Sequence, residues 1–117
     1  MTRELTGAQQ ARYARHLLLD GWEGGGQERL LSASVRVRGR GAAARWAARY
    51  LAASGVGRLG FDEPSWAPEL RGLGPWLVPE ATPDALEIAP AEGASPAESA
   101  QLGSEAALRA VVALLRG

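Results

Sequence analysis

The sequence predicts an α/β fold in a single domain of 117 residues. Three observations carry this reading. Val35-Arg36-Val37-Arg38-Gly39 alternates β-branched and charged residues and stops at glycine, the pattern of a short strand. Ala42 to Ser54 is alanine-rich, sets Trp46, Tyr50 and Leu51 at helical spacing, and meets a stop at Gly55. Arg58 to Asp62 reads as a second short strand, so residues 35–63 form a compact β-α-β unit. A right-handed crossover makes its strands a parallel pair with the helix packed on the sheet.

The flanking segments follow from their own patterns. Thr6 and Gln9 have capping-box spacing and open a helix that places Ala8, Ala11, Leu18 and Leu19 partly on one face. Asp20-Gly21 breaks that helix, Gly24-Gly25-Gly26 reads as a flexible turn, and a short second helix follows from Gln27 to Ala33. Residues 1–34 are therefore expected to be two N-terminal helices. Residues 64–103 hold all seven prolines and read as an irregular connection. Two pieces of it, Trp76-Leu77-Val78 and Leu86-Glu87-Ile88-Ala89, have strand character but are too short for pattern alone to decide. In residues 104–117, Ser104 is expected to cap a final helix to Leu115, with Leu108, Val111, Val112 and Leu115 as its apolar face.

Composition excludes several chemistries. The chain has no cysteine, which removes disulfides, thiolate metal sites and a cysteine nucleophile. All 13 basic residues are arginines, so there is no P-loop or Schiff-base lysine; the nucleotide bias of a GC-rich genome is sufficient cause. No run of 18 apolar residues predicts a membrane span, and the N-terminus opens no apolar leader, which leaves a cytoplasmic protein as the simplest expectation. No structural metal is expected. The net charge is zero but uneven: residues 1–58 carry 10 Arg against 4 acids, and residues 59–117 carry 3 Arg against 9 acids. Such asymmetry suits either an anion-facing half or two halves that attract each other. The basic residues are dispersed and not interleaved with aromatics, so no nucleic-acid partner is expected.

The sharpest local signal is Gly39-Arg40-Gly41-Ala42-Ala43-Ala44, between strand and helix. Gly39, Gly41 and Ala44 fit the G-x-G-x-x-G/A dinucleotide fingerprint: glycines for the turn and for phosphate approach, a small residue for helix–strand packing. The helix N-terminus adds free backbone N–H groups and a positive dipole end. An acid about 20 positions on meets a ribose hydroxyl in that fingerprint, and Asp62 and Glu63 lie at that distance. On spacing alone, a β-α turn that is merely tight and a loop-capping pair of acids remain open. The four tryptophans are most simply core or interface residues, with Trp66 and Trp76 suited to cover a sheet edge or a partner.

Five motifs in order give a more specific indication. Arg12-Tyr13-Ala14-Arg15-His16 resembles an Arg-Tyr-x-Arg-Gln motif, and Gly26-Gln27-Glu28-Arg29-Leu30 resembles Gly-Gln-x-x-Leu. The strand, glycine loop and helix follow, and then Tyr50-Leu51-Ala52-Ala53-Ser54-Gly55-Val56-Gly57-Arg58-Leu59 resembles Tyr-Leu-Ala-x-x-Gly-Val-Gly-x-Leu. Residues 103–117 look like the closing helix of the same family. Together they resemble the ThiF/MoeB/HesA family, E1-like enzymes that adenylate the C-terminus of a ubiquitin-like protein.

The resemblance implies an abbreviated Rossmann-like E1/ThiF fold, with ATP as the nucleotide, accompanied by magnesium if the chain is active. It implies that Gly39, Gly41 and Ala42 line the nucleotide loop, that Glu63 (or Asp62, one position away) meets the ribose, and that Arg71 matches weakly an arginine beyond the second strand. Arg15 becomes an arginine reaching across a dimer interface to a partner's phosphates. The departures are equally specific. Ala42 stands where the family has glycine, Pro64-Ser65-Trp66-Ala67-Pro68-Glu69-Leu70-Arg71-Gly72 replaces the segment after the ribose acid, and the phosphate lysine is missing. Asp84 lacks the motif of the family's magnesium-binding aspartate, and the cysteine of some members has no counterpart. Complete members are considerably longer. The reading is thus a truncated, degenerate E1-like module, non-catalytic or a partner subunit of a complete adenylyltransferase, forming a homodimer or a heterodimer and meeting a ubiquitin-like or sulfur-carrier protein. The alternatives are a minimal ATP-dependent adenylyltransferase and a nucleotide-binding domain only.

Overall fold

The computed structural model describes residues 24–116. The helix expected from Thr6 to Leu19, with Arg12, Arg15 and His16, lies outside them, as does Trp22. The first described element is α1 (Gly24–Ser32), which begins inside the triple glycine expected to be a turn. Glycine costs a helix about 1 kcal/mol relative to alanine, and tertiary packing outweighs that here. Gln27 and Leu30 are buried, the Leu30 carbonyl accepts from the Gly57 amide at 2.9 Å, and Arg29 donates to the Leu115 carbonyl at the far end of the chain. Gly57 permits this approach: a Cβ there would lie 1.9 Å from the Leu31 carbonyl oxygen.

The central unit forms as its sequence pattern requires. β1 (Ser34–Val37), α2 (Ala42–Ser54) and β2 (Arg58–Phe61) follow one another, and the strands pair in parallel from Ser34↔Arg58 to Val37↔Phe61. Val35 and Val37 alternate into the core. Gly55, at φ 99°, closes α2 with a Schellman motif: its amide donates to Ala52 and the Val56 amide to Leu51.

Beyond Glu63 the structure departs from the irregular connection expected over 64–103. A 3-10 turn (Pro64–Trp66) runs into α3 (Ala67–Leu73), and β3 (Leu86–Ile88) joins the sheet. The prolines start helical turns instead of preventing them, because the first turn has no use for the missing N–H. Trp66 and Leu70 are thereby driven into the core. β3 pairs in parallel with β1, giving the order β2-β1-β3, and Val78 forms a single parallel bridge to Arg58 on the β2 side. Both short candidate strands therefore lie against the sheet.

The final helix also differs from expectation. α4 spans Pro96–Arg116, so Ser104 is interior and the start lies eight residues earlier. Its true cap is Ser95-Pro96-Ala97-Glu98: the Ser95 hydroxyl accepts from the Glu98 amide at 3.1 Å, as in a capping box, and the Glu98 carboxylate reaches one residue further back, accepting from the Ala94 amide at 2.5 Å. The buried face is Ser99, Gly103, Ala106, Ala107, Ala110 and Val111, whereas Leu108 and Val112 are each 38% exposed. The reason is close packing on α2: a Cβ at Gly103 would lie 2.1 Å from the Ala43 carbonyl oxygen. Only a small-residue face reaches that distance, and the larger Leu108 and Val112 turn outward. The core lies between the sheet (Val35, Val37, Leu59) and these helices (Leu51, Ala107, Val111), with Leu30 closing one end. No described helix is long and apolar enough to cross a membrane.

The uneven charge resolves into internal attraction. Arg38 pairs with Asp62 and Glu87, Arg45 and Arg49 with Glu69, and Arg58 with Glu80. Every pair joins an arginine of the basic half to an acid of the other. Each is partly exposed and worth about 0–1 kcal/mol. Their common direction therefore matters more than their energy.

Gly103→Ala is expected to lower unfolding free energy by about 1–3 kcal/mol through overpacking, despite alanine's higher helix propensity. Leu108→Ala, at a half-exposed position of the same helix, is expected to stay within about 1 kcal/mol of wild type. Urea denaturation of both variants checks the pair.

Candidate functional site: the glycine loop and its internal anion

In an open parallel α/β sheet, ligands lie beyond the carboxyl ends of the strands, where successive connections leave in opposite directions. Here the chain leaves β1 toward β2 and later returns past β1 to β3, so the crevice lies between β1 and β3. The glycine loop stands at its mouth. Gly39 takes φ 110°, which favours glycine, and a Cβ on it would come 3.3 Å from the Ala44 methyl. The small residue at 44 is what lets the loop sit on its own helix. Gly41 is the N-cap of α2 and has no side chain to accept from the first turn's amides.

Those amides are nevertheless satisfied. The Glu92 carboxylate accepts from Ala43 N–H at 2.8 Å and from Ala44 N–H at 3.3 Å, one oxygen to each. It rests directly over Gly41, where an added Cβ would lie 2.4 Å from the carboxyl carbon. The helix dipole favours a negative charge at this end. Glu92 comes four residues after β3 ends, so it enters from the opposite wall of the crevice. The free amides expected at the start of this helix are thus covered by the chain's own carboxylate.

The two candidate ribose acids also have internal partners. Asp62, just past β2, accepts from the Gly39 amide at 2.8 Å and lies 3.7 Å from the Arg38 guanidinium. Arg38 also donates to Glu87 at 2.6 Å, and that hydrogen bond holds its pKa above the ordinary value. Glu63 turns away and caps the Pro64–Trp66 turn, accepting from the Ser65 hydroxyl at 2.9 Å and the Ser65 amide at 3.3 Å. The hydroxyl, then the amide, hold its pKa below the usual carboxylate value. Asp84 is lowered by the Thr82 hydroxyl in a turn away from the loop. Arg71 is exposed in the last turn of α3. Arg15 lies outside the described residues. The structure therefore brings Gly39, Gly41, Ala42 and Asp62 together, while Glu63 sits beside them with its carboxylate engaged elsewhere.

Sequence reasoning missed Glu92 and a neighbouring basic cleft. The cleft, about 400 Å³, opens beside Gly41 and Ala42 and is lined by Arg40, Arg45, Arg49, Trp46 and Trp66. Glu69 holds Arg45 and Arg49, and the Arg49 guanidinium lies 4.9 Å over the Trp46 ring. Arg45 and Arg49, four residues apart on a helix, were a legible signal. For Glu92 the only hint was that an N-cap glycine leaves amides that some acceptor must satisfy.

A parallel β-α-β unit with a glycine turn, a strand-end acid and a switch-point crevice defines a Rossmann-type α/β module. No protein-family model matches the chain. The SAMP-activating enzyme E1 of Haloferax volcanii is 48% identical over 59 residues, 50% of this chain and 22% of that protein. The vegetative HesA protein of Trichormus variabilis is 47% identical over 55 residues, 47% of this chain and 21% of that protein. Among solved structures, E. coli tRNA N6-threonylcarbamoyladenosine dehydratase in complex with AMP superposes with a TM-score of 0.57 at 16% identity, over 85% of this chain and 56% of that one. The likeness to that structure establishes the fold. Over about half of this chain the sequence is similar to proteins of the ThiF/MoeB/HesA kind, and the matched segments span about a fifth of these curated relatives.

Ser65→Ala is expected to raise the Glu63 pKa toward its ordinary value by removing the larger of its two stabilising bonds. Because the folded pKa is depressed, the Glu63 contribution to stability is present above the unfolded pKa and is lost as pH falls through the folded one. The variant should therefore differ from wild type at neutral pH and converge with it in acid. Carboxyl-carbon NMR titration and denaturation at both pH values check this.

Proposed function

We propose that the chain is a non-catalytic E1-like module that acts as a partner of a complete E1-like adenylyltransferase. The observation that carries this reading is the Glu92 carboxylate on the Ala43 and Ala44 amides. A nucleotide phosphate resting on the same amides would need the space that this carboxylate fills. ATP, with magnesium, is the group the family implies, and Gly41 and the α2 amides have the donor chemistry for its phosphates. In this chain the acceptor on those amides is the Glu92 carboxylate. The absence of lysine among these 117 residues agrees, since the positive charge of a phosphate lysine would have to come from elsewhere.

The partner half of the proposal draws on surface chemistry. Leu86, Leu108 and Val112 are between 37% and 38% exposed, and an apolar groove between β3 and α4 is lined by Leu86, Ile88, Leu102 and Ala113. Such a face suits a homodimer or heterodimer contact. Arg15 is proposed as the residue given to the partner's phosphates. A ubiquitin-like or sulfur-carrier protein is then the substrate of the assembly, and the cytoplasm its place.

A second reading, the minimal adenylyltransferase, is favoured by the intact glycine turn and by Asp62 at the strand end. Nucleotide binding without adenylation stands between the two. ATP–pyrophosphate exchange separates them. The purified chain is expected to give no exchange with candidate ubiquitin-like proteins, and to co-purify with a complete E1-like homologue. Within that complex Arg15→Ala is expected to leave folding intact and weaken the partner's ATP affinity about tenfold, the scale of one charged hydrogen bond. Exchange by the chain alone would favour the minimal enzyme.

A further inference from the structure

We propose that the open edge of β3 and the groove beneath α4 receive an extended segment of a partner polypeptide, which joins the sheet as a fourth strand and sets an acidic side chain against Arg109. The inference rests on the partner half of the reading above and deepens it. It names the surface and the form of the segment that fits it.

β3 stands at the end of the sheet order β2-β1-β3. The Ile88 carbonyl accepts from the Arg38 amide, so Ile88 and its counterpart Leu86 turn their backbone polar groups toward β1. Backbone directions alternate along a strand, and Glu87 between them turns its N–H and C=O to the open side. Among the described residues no backbone group meets them there. Such an edge is a template for pairing unless something blunts it. The Glu87 charge does not, because Arg38 of the neighbouring strand already holds that carboxylate.

The side chains favour the same event. Leu86 and Ile88 face away from Glu87 and form one wall of a groove of about 420 Å³; Leu102, Ala106, Arg109 and Ala113 of α4 form the other. Leu86 belongs to the sheet and is still 37% exposed. α4 thus overhangs the edge, and its small residues leave room for the side chains of one further strand. A second copy fits poorly. Pairing edge to edge, it would bring its own α4 to the place that this one fills. A lone extended segment meets no such obstacle, and main-chain bonds to an edge are a general mode of peptide recognition. Arg109 sets its chemistry. It is the charged residue of the groove wall, it is exposed, and it has no ion-pair partner among the described residues. The fitting segment therefore alternates apolar residues toward α4 and carries one carboxylate on that same face.

The experiment uses the full chain as wild type, Leu86→Lys, Arg109→Glu and Leu108→Lys, the last at an exposed position of α4 outside the groove. The probe is a peptide blocked at both ends, Thr-Val-Thr-Val-Thr-Glu-Thr, and a second peptide carries Lys in place of Glu. Affinity is read by calorimetry, and the Glu87 amide by NMR and hydrogen exchange. The expected result is saturable binding to wild type and Leu108→Lys, with slower exchange at Glu87 in the complex. Arg109→Glu, or the Lys peptide on wild type, should weaken binding about tenfold, the scale of one charged hydrogen bond. The Lys peptide should recover affinity on Arg109→Glu, a charge swap that stays informative if Leu86→Lys does not fold. Folded Leu86→Lys should lose binding. No saturation by about 1 mM peptide, unchanged Glu87 exchange on binding, or full affinity in Leu86→Lys would overturn the proposal. Concentration-dependent protection of Glu87 in the chain alone would put a second copy at the edge and overturn it too. Peptide binding without co-purification of a complete E1-like homologue would instead count against the partner named above, so the two failures are distinguishable.

Discussion

The structure turns on the start of α2. A helix whose N-cap is glycine presents amides that its own first residues leave unsatisfied, and this helix begins at the carboxyl end of the central strand. Those amides need an anionic or polar acceptor at the place where the fold family receives a ligand. In this chain the acceptor comes from 48 and 49 residues along the sequence. One contact thereby closes the helix and bridges the crevice.

Close backbone approach is the second constraint, and glycine is its instrument at a few positions. Gly103 lets α4 press against the first turn of α2, so the helix that follows Glu92 and the helix that Glu92 caps are packed together. Gly57 does the same for α1 and the start of β2. The resulting core is built largely from alanine and short aliphatic side chains, with Leu30, Leu51, Leu59 and Leu70 as its bulk. Charge follows the same plan, since the basic first half supplies the arginines and the acidic second half their partners. Asp62, Glu69, Glu80 and Glu87 thus tie the second half to the first through arginines, and Glu92 does so through backbone amides.

This arrangement separates the fold from the use made of its polar groups. The glycine turn, the parallel strands and the acid past β2 are common to the fold and would serve a nucleotide. Glu63 capping a turn, Asp62 bonded to Gly39, and Glu92 in the cradle are internal uses of the same chemical groups. A carboxylate that accepts from its own backbone serves the structure.

Most of the β-α-β unit was legible in the sequence, because its determinants are local. Alternating valines define β1, alanine propensity and Gly55 define α2, and the turn at Gly39 requires a residue that tolerates positive φ. The Ser95-Pro96-Ala97-Glu98 cap was equally local and readable, although the loop-like composition around it concealed it. Helix formation through Gly24-Gly25-Gly26, the pairing of three-residue β3, and the choice of the alanine face of α4 over Leu108 and Val112 were decided only by the tertiary structure. Each depends on the energy of a neighbour brought near by folding. The same holds for Glu92: no periodicity marks it, and nothing within the sequence says which acceptor will reach the amides of α2. Local propensity determined where that helix begins and ends, and long-range packing decided what lies at its mouth.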